Sequence, residues 1–167
     1  LWIRSAQKVF CAGADLALMH SILASAEGRA RMIALTRRMQ QVFARVETLP
    51  KLTLAEIGGP AMGGGFELAL SCDLRIVAES AKVGLPEAGL GLLPAAGGTQ
   101  RMTRICGEAV ARRLILGAEL VSGKEAVALG LAAFFIARRE EALDGRSFDA
   151  PEEPCGAHPI ANPARLL

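Results

Sequence analysis

LTLAEIGGPAMGGGFELALSCDLRIVAE, residues Leu52 to Glu79, is the stretch on which the fold turns. LTLAEIGG alternates apolar and polar positions and halts at a pair of glycines, which reads as a strand. MGGGFELALSC then turns helical, and DLRIVAE returns to a strand. A strand, a short helix and a second strand in 28 residues imply a parallel sheet, because parallel neighbours need a crossover to re-enter the sheet from the same end.

Upstream, LWIRS and VFCAG read as short apolar pieces around the polar turn AQK, a strand leading into the small-residue bend AGAD. From Glu27 to Leu49 the residues Met32, Leu35, Met39, Val42, Val46 and Leu49 recur at spacings of three and four, the stripe of an amphipathic helix closed by Pro50. Its far side carries Arg37, Gln41 and Arg45, flanked by Arg29 and Arg38, which reads as a solvated face or as an RNA-facing basic stripe. Downstream, KVGLPEAGLGLLPAAGGTQ is rich in Gly and Pro, and helices are predicted over Gly98–Cys106 and Glu108–Leu116. Ser122 and Glu125 have the spacing of a capping box, with Gly130 as the stop. From Arg138 four prolines and the loss of any apolar period predict a loose tail to residue 167.

Composition narrows the class. Of 167 residues, 51% are hydrophobic and 22% charged, the balance of one globular domain, and the net charge of +2 does not by itself indicate a nucleic-acid partner. No run is apolar for long enough to span a bilayer. Cys11, Cys72, Cys106 and Cys155 form no C-x-x-C pair, and His20 and His158 have no ligand spacing, so free thiols are expected rather than disulfides or zinc. The chain begins at Leu1, inside what reads as a strand, so it is expected to be cut at its start.

The candidate chemistry centres on the three glycines. Without Cβ atoms, Gly63, Gly64 and Gly65 can bring backbone N–H groups close to a ligand and hold an oxyanion, although such a run is more often a tight packing turn or a phosphate cradle. The G-x-G-x-x-G spacing is missing and no G-K-[ST] follows, which weighs against a nucleotide. Glu67 falls in the first turn of the helix, and Glu87 lies between Pro86 and two later glycines in a segment unusually apolar for a surface loop. Each has an ordinary structural explanation, a first-turn charge and a turn residue. If the two converge, they will not ionise together easily, and one can take a proton while the other gives one.

Three ordered motifs, FCAGADL, GGPAMGGGFELALSCDLRI and GLPEAGLGLLPAAGGTQR, together resemble the enoyl-CoA hydratase/isomerase (crotonase) family over residues 1–131. The wording is most similar to that of mitochondrial members, one of them an AU-rich-RNA-binding hydratase. The resemblance implies an α/β fold, the ClpP-like ββα spiral of the crotonases, truncated at both ends, with a partial domain over 1–137 and a non-family tail over 138–167. It implies an oxyanion hole made by the backbone N–H groups of Ala14 and Gly64, coenzyme A approached by the loop at Ala12, Ala14 and Asp15, and Glu67 and Glu87 as the two catalytic glutamates holding a water. The implied activity is addition of water across the C2=C3 bond of a 2-enoyl-CoA, with no metal and no cofactor beyond the coenzyme A of the substrate. It further implies a homotrimer or hexamer when complete, and a mitochondrial matrix or bacterial cytoplasmic location. Two alternatives follow from the short ends and the arginine stripe: an inactive fragment that binds family partners, or an RNA-binding homologue.

Overall fold

A computed structural model describes residues 1–136. The expected change of character at residue 138, the tail behind it and Cys155 lie outside the described residues.

The decisive stretch folds as read. Strand β2 (Leu54–Ile57), helix α3 (Gly64–Leu70) and strand β4 (Leu74–Ala78) follow one another, and β2 and β4 pair in parallel with Ile57 opposite Val77. Strand β1 (Trp2–Arg4) lies parallel on the other side of β2, and β7 (Phe134–Ile136) lies parallel beside β4, so one sheet runs β1-β2-β4-β7. The start of this sheet is locked through side chains. The carboxylate of Asp73 accepts from the amide and the hydroxyl of the fully buried Thr53, at 2.9 and 2.8 Å, and the Asp73 amide donates back to that hydroxyl at 2.8 Å.

A second sheet is less visible in the sequence. It is built from β3 (Ala61–Met62), β5 (Lys82–Gly84) and β6 (Leu120–Ser122), strands of two or three residues with no alternation long enough to read. The segment VFCAG forms no strand; it meets the second sheet only through a bridge from Cys11 to Ala61. Between the layers sit Ile57, Phe66, Val77, Leu85, Met102, Leu114 and Leu131, each at most 1% exposed, as a single apolar core.

Helix α1 (Leu16–Leu23) is capped by the Asp15 carboxylate, and α2 (Ala26–Glu47) by Ser25. The stripe expected on α2 is rotated in part. Phe43 is 8% exposed, whereas Leu35 and Val42 are 50% and 40% exposed. Seen alone, the helix has apolar residues on two adjoining faces, and only the tertiary packing selects between them. Helices α4 (Gly98–Cys106) and α5 (Glu108–Leu116) have the predicted bounds, and the capping box of Ser122 and Glu125 opens α6 (Gly123–Ala128).

One buried cation fixes α3 from behind. Arg75, 8% exposed, donates to the carbonyl of Cys72 just beyond α3 at 2.7 Å and to that of Leu131, ahead of β7, at 2.6 Å, so the end of the helix is tied to a remote segment. No helix among the described residues is long and apolar enough to cross a membrane. Cys11, Cys72 and Cys106 are free thiols.

Candidate active site

The front of α3 is assembled from three segments. At Gly63 the chain adopts φ +54° and ψ −130°, a backbone conformation that glycine tolerates, while its amide donates to the Gly84 carbonyl of β5 at 3.0 Å. The loop that carries Ala12, Gly13, Ala14 and Asp15 is exposed and closes on this turn. A Cβ placed on Gly13 would come 2.9 Å from the Met62 carbonyl and 3.2 Å from the Gly64 nitrogen, so the two backbones touch with no room for a side chain. Ala14 is the next residue along this loop. Neither its amide nor that of Gly64 has an acceptor among the described residues. The Asp15 carboxylate accepts from the Leu18 amide at 3.0 Å and its carbonyl from the Met19 amide at 2.9 Å.

Glu67, in the first turn of α3, is 2% exposed. Its Oε1 accepts from two amides, Ala96 and Gly98, both at 2.8 Å. Burial pushes its carboxyl above the usual range; the Gly98 and Ala96 amides and the Arg101 guanidinium pull in the opposite direction without cancelling the effect.

Glu87 is carried by a 3-10 turn, Pro86–Leu90, and is half-buried. Its Oε1 lies 3.0 Å from where a Cβ on Gly63 would stand, so this carboxyl abuts the glycine turn that opens α3. Its Oε2 is buried and, among the described residues, has no hydrogen-bond partner. Its pKa is also raised, first by burial and then by the charge of Glu67. The environments of the two carboxyls differ in kind. Two N–H donors from a remote segment favour the ionised form of Glu67, whereas for Glu87 only the backbone amide of the residue itself pulls that way.

The contacts tie three segments to one place: the Gly13 backbone packs on Gly64, the Glu87 carboxyl abuts Gly63, and Glu67 lies in the helical turn that follows. Among the described residues no three His, Cys, Asp or Glu side chains cluster as metal ligands would. The arginine stripe of α2 lies elsewhere, with Arg37, Gln41 and Arg45 exposed along the helix.

What the sequence reading missed is the support of Glu67. The turn before α4 supplies both of its donors, and that turn is tied to α2 through Gln40, whose amide donates to the Ala95 carbonyl at 2.6 Å, and through Arg101, which pairs with Glu47. The run of small residues Ala95 to Gly98 is the one local signal of close backbone approach. The partners on α2 are more than fifty residues away and leave no trace in local pattern.

Comparison with known proteins bears on the family. The sequence profile of the enoyl-CoA hydratase/isomerase family matches residues 2–147. The chain is 47% identical over 124 residues to a probable enoyl-CoA hydratase of Bacillus subtilis, with 74% of this chain and 46% of the relative covered. It is 39% identical over 155 residues to the mitochondrial methylglutaconyl-CoA hydratase of Homo sapiens, covering 92% of this chain and 44% of that one. The crystal structure of an enoyl-CoA hydratase from Bacillus anthracis superposes with a TM-score of 0.74 at 39% identity, over 85% of this chain and 54% of that one. The chain spans about half the length of the curated relatives it matches. From its ordered motifs, its two-sheet fold and these matches, the chain belongs to the enoyl-CoA hydratase/isomerase family.

Proposed function

We propose that this chain carries the acid-base centre of a 2-enoyl-CoA hydratase, a lyase that adds water across the C2=C3 bond of an acyl-CoA thioester. The observation that carries the reading is the unlike pair of carboxyls beside a glycine turn: Glu67 held by two amides, and Glu87 with a buried oxygen that no group among the described residues satisfies.

In this reading the thioester oxygen sits on the N–H groups of Ala14 and Gly64, and the loop from Ala12 to Asp15 approaches the coenzyme A portion. A water lies between the carboxyls. Its oxygen bonds to C3, one of its protons passes to Glu67, and the electron pair of the C2=C3 bond shifts toward the thioester, where the oxygen gains negative charge. Glu87, the carboxyl with the weaker support for its ionised form, delivers a proton to C2. Hydroxyl at C3 and hydrogen at C2 account for both halves of the water, and return of the proton from Glu67 to Glu87 by way of solvent restores the pair. Two aligned donors matter because charge develops on the oxygen only as the reaction proceeds; losing one such donor typically costs about 2.7–4 kcal/mol of barrier.

The same reading assigns no cofactor beyond the coenzyme A of the substrate. It places a complete protein of this kind in a homotrimer or hexamer, in the mitochondrial matrix of a eukaryote or the cytoplasm of a bacterium. The readings as a partner-binding inactive fragment or an RNA-binding homologue draw no support from the relatives, and a solvated helix face accounts for Arg37, Gln41 and Arg45. The test is hydration of crotonyl-CoA by the purified chain, followed by the loss of ultraviolet absorbance of the enoyl thioester. Glu67→Gln and Glu87→Gln are each expected to lower the rate by about 10²–10⁴-fold. A well-folded chain with no turnover, or one whose rate ignores both substitutions, refutes the proposal.

A further inference from the structure

We propose that Arg101 is a positioning residue for Glu67: locked to Glu47 at the end of α2 and donating to the Ala96 carbonyl, it holds the turn whose two amides grip the Glu67 carboxylate. The inference rests on the reading of Glu67 as the base.

Arg101 is 7% exposed, and its guanidinium is used on both sides. Nη1 donates to the Ala96 carbonyl at 2.8 Å, while Nε and Nη2 donate to Glu47 Oε2 at 3.2 and 3.1 Å. A guanidinium is retained in such a place only when its donors are satisfied, because desolvating the charge is costly. Here the satisfaction has a geometric result. The backbone from Ala96 to Gly98 is pulled by Arg101 through a carbonyl and used by Glu67 through two amides, so it is fixed between the two side chains.

Helix α2, which bears neither catalytic carboxyl, supplies the outer anchors. Gln40 and Glu47 are seven residues apart, two turns on one face, and they hold Ala95 directly and Ala96 through Arg101. The charged groups that bear on Glu67 are Arg101 from α4 and Glu87 from the Pro86–Leu90 turn. A lysine keeps the charge of Arg101 but has no planar fork, so it cannot serve Glu47 and the carbonyl in the same geometry. Arg101→Lys therefore separates the clamp from the field, and Arg101→Met removes both.

The experiment follows the amide protons of Ala96 and Gly98 by NMR through a pH titration of the isotope-labelled 167-residue chain. In the parent chain both signals are expected to move together as Glu67 ionises, and in Glu67→Gln neither moves. In Arg101→Lys both are expected to titrate at higher pH and to exchange with solvent about tenfold faster or more, with Arg101→Met displaced further. Turnover of crotonyl-CoA falls about tenfold or more in kcat with KM within about threefold. Parent-like titration and exchange of both amides in a folded Arg101→Lys overturns the inference. Should Arg101→Met fail to fold, Arg101→Lys and Glu47→Gln decide, and parent-like amides in both overturn it equally. The NMR readout needs no turnover: an inactive parent chain sinks the hydratase reading alone, and unchanged amides sink the clamp alone.

Discussion

A methyl group at residue 98 is the sharpest probe of the site. A Cβ built on Gly98 would stand 2.8 Å from Glu67 Cγ, 2.9 Å from Glu67 Oε1 and 3.0 Å from Leu85 Cδ1. Ordinary van der Waals contact begins at 3.4 Å, so Glu67 must retreat by about half an ångström. The retreat is away from the two amides that hold it at 2.8 Å, each bond to a charged acceptor being worth about 1.5–3 kcal/mol. A displacement of about 1 Å at a reacting group can cost about 10²-fold in rate, so half of that is expected to cost about tenfold, or about 1.4 kcal/mol of barrier. Stability should fall by about 1–3 kcal/mol for the overpacking.

Gly107→Ala is the matched control. Gly107 ends the same helix, roughly 13 Å along it, at φ +80° and ψ 164° with nothing within 4 Å of an added Cβ. That backbone region is almost confined to glycine, so the alanine variant should lose about 1–3 kcal/mol in urea melts and keep its kcat. Measuring kcat on crotonyl-CoA and urea midpoints for both variants gives a double dissociation. A Gly98→Ala chain that hydrates within about twofold of the parent would refute the claim that the amide grip on Glu67 sets the rate.

Three further outcomes follow from the described contacts. Both site carboxyls have raised pKa values, so the folded chain binds protons more tightly than the unfolded one, and the stability this confers below the ordinary carboxylate range is lost as pH rises through the raised values. Glu87→Gln should therefore be more stable than the parent at neutral pH, with the advantage gone in mild acid; urea melts at the two pH values read the sign, and an equal gain at both would contradict it. Thr53→Val keeps the volume but strips the hydroxyl from the Asp73 lock, and a loss of about 1–3 kcal/mol is expected in denaturant melts with little change in kcat. Ser122→Ala breaks the capping box of α6, in which the Ser122 hydroxyl accepts from the Glu125 amide at 3.2 Å, and should lower stability by about 1 kcal/mol.

The strand, helix and strand of Leu52 to Glu79 were legible because each obeys its own period and each ends on a glycine or a polar break, all local signals. So were α4, α5 and the capping box, whose start and stop residues lie within a turn of the elements they bound. The glycines and the two glutamates could be named from motif order. The second sheet could not, because strands of two and three residues are shorter than one full alternation and exist only through pairing with distant chain. Tertiary packing alone decided which side of α2 is buried, choosing Phe43 over Leu35 and Val42. It alone distinguished the carboxyls as well: Glu67 and Glu87 are the same residue in sequence, and their difference comes from two amides brought to one and from none brought to the other, contacts made across 29 and 31 residues. Local sequence sets which elements can form; the protonation chemistry of the site depends on burial and on donors from remote segments, which exist only once the chain has folded.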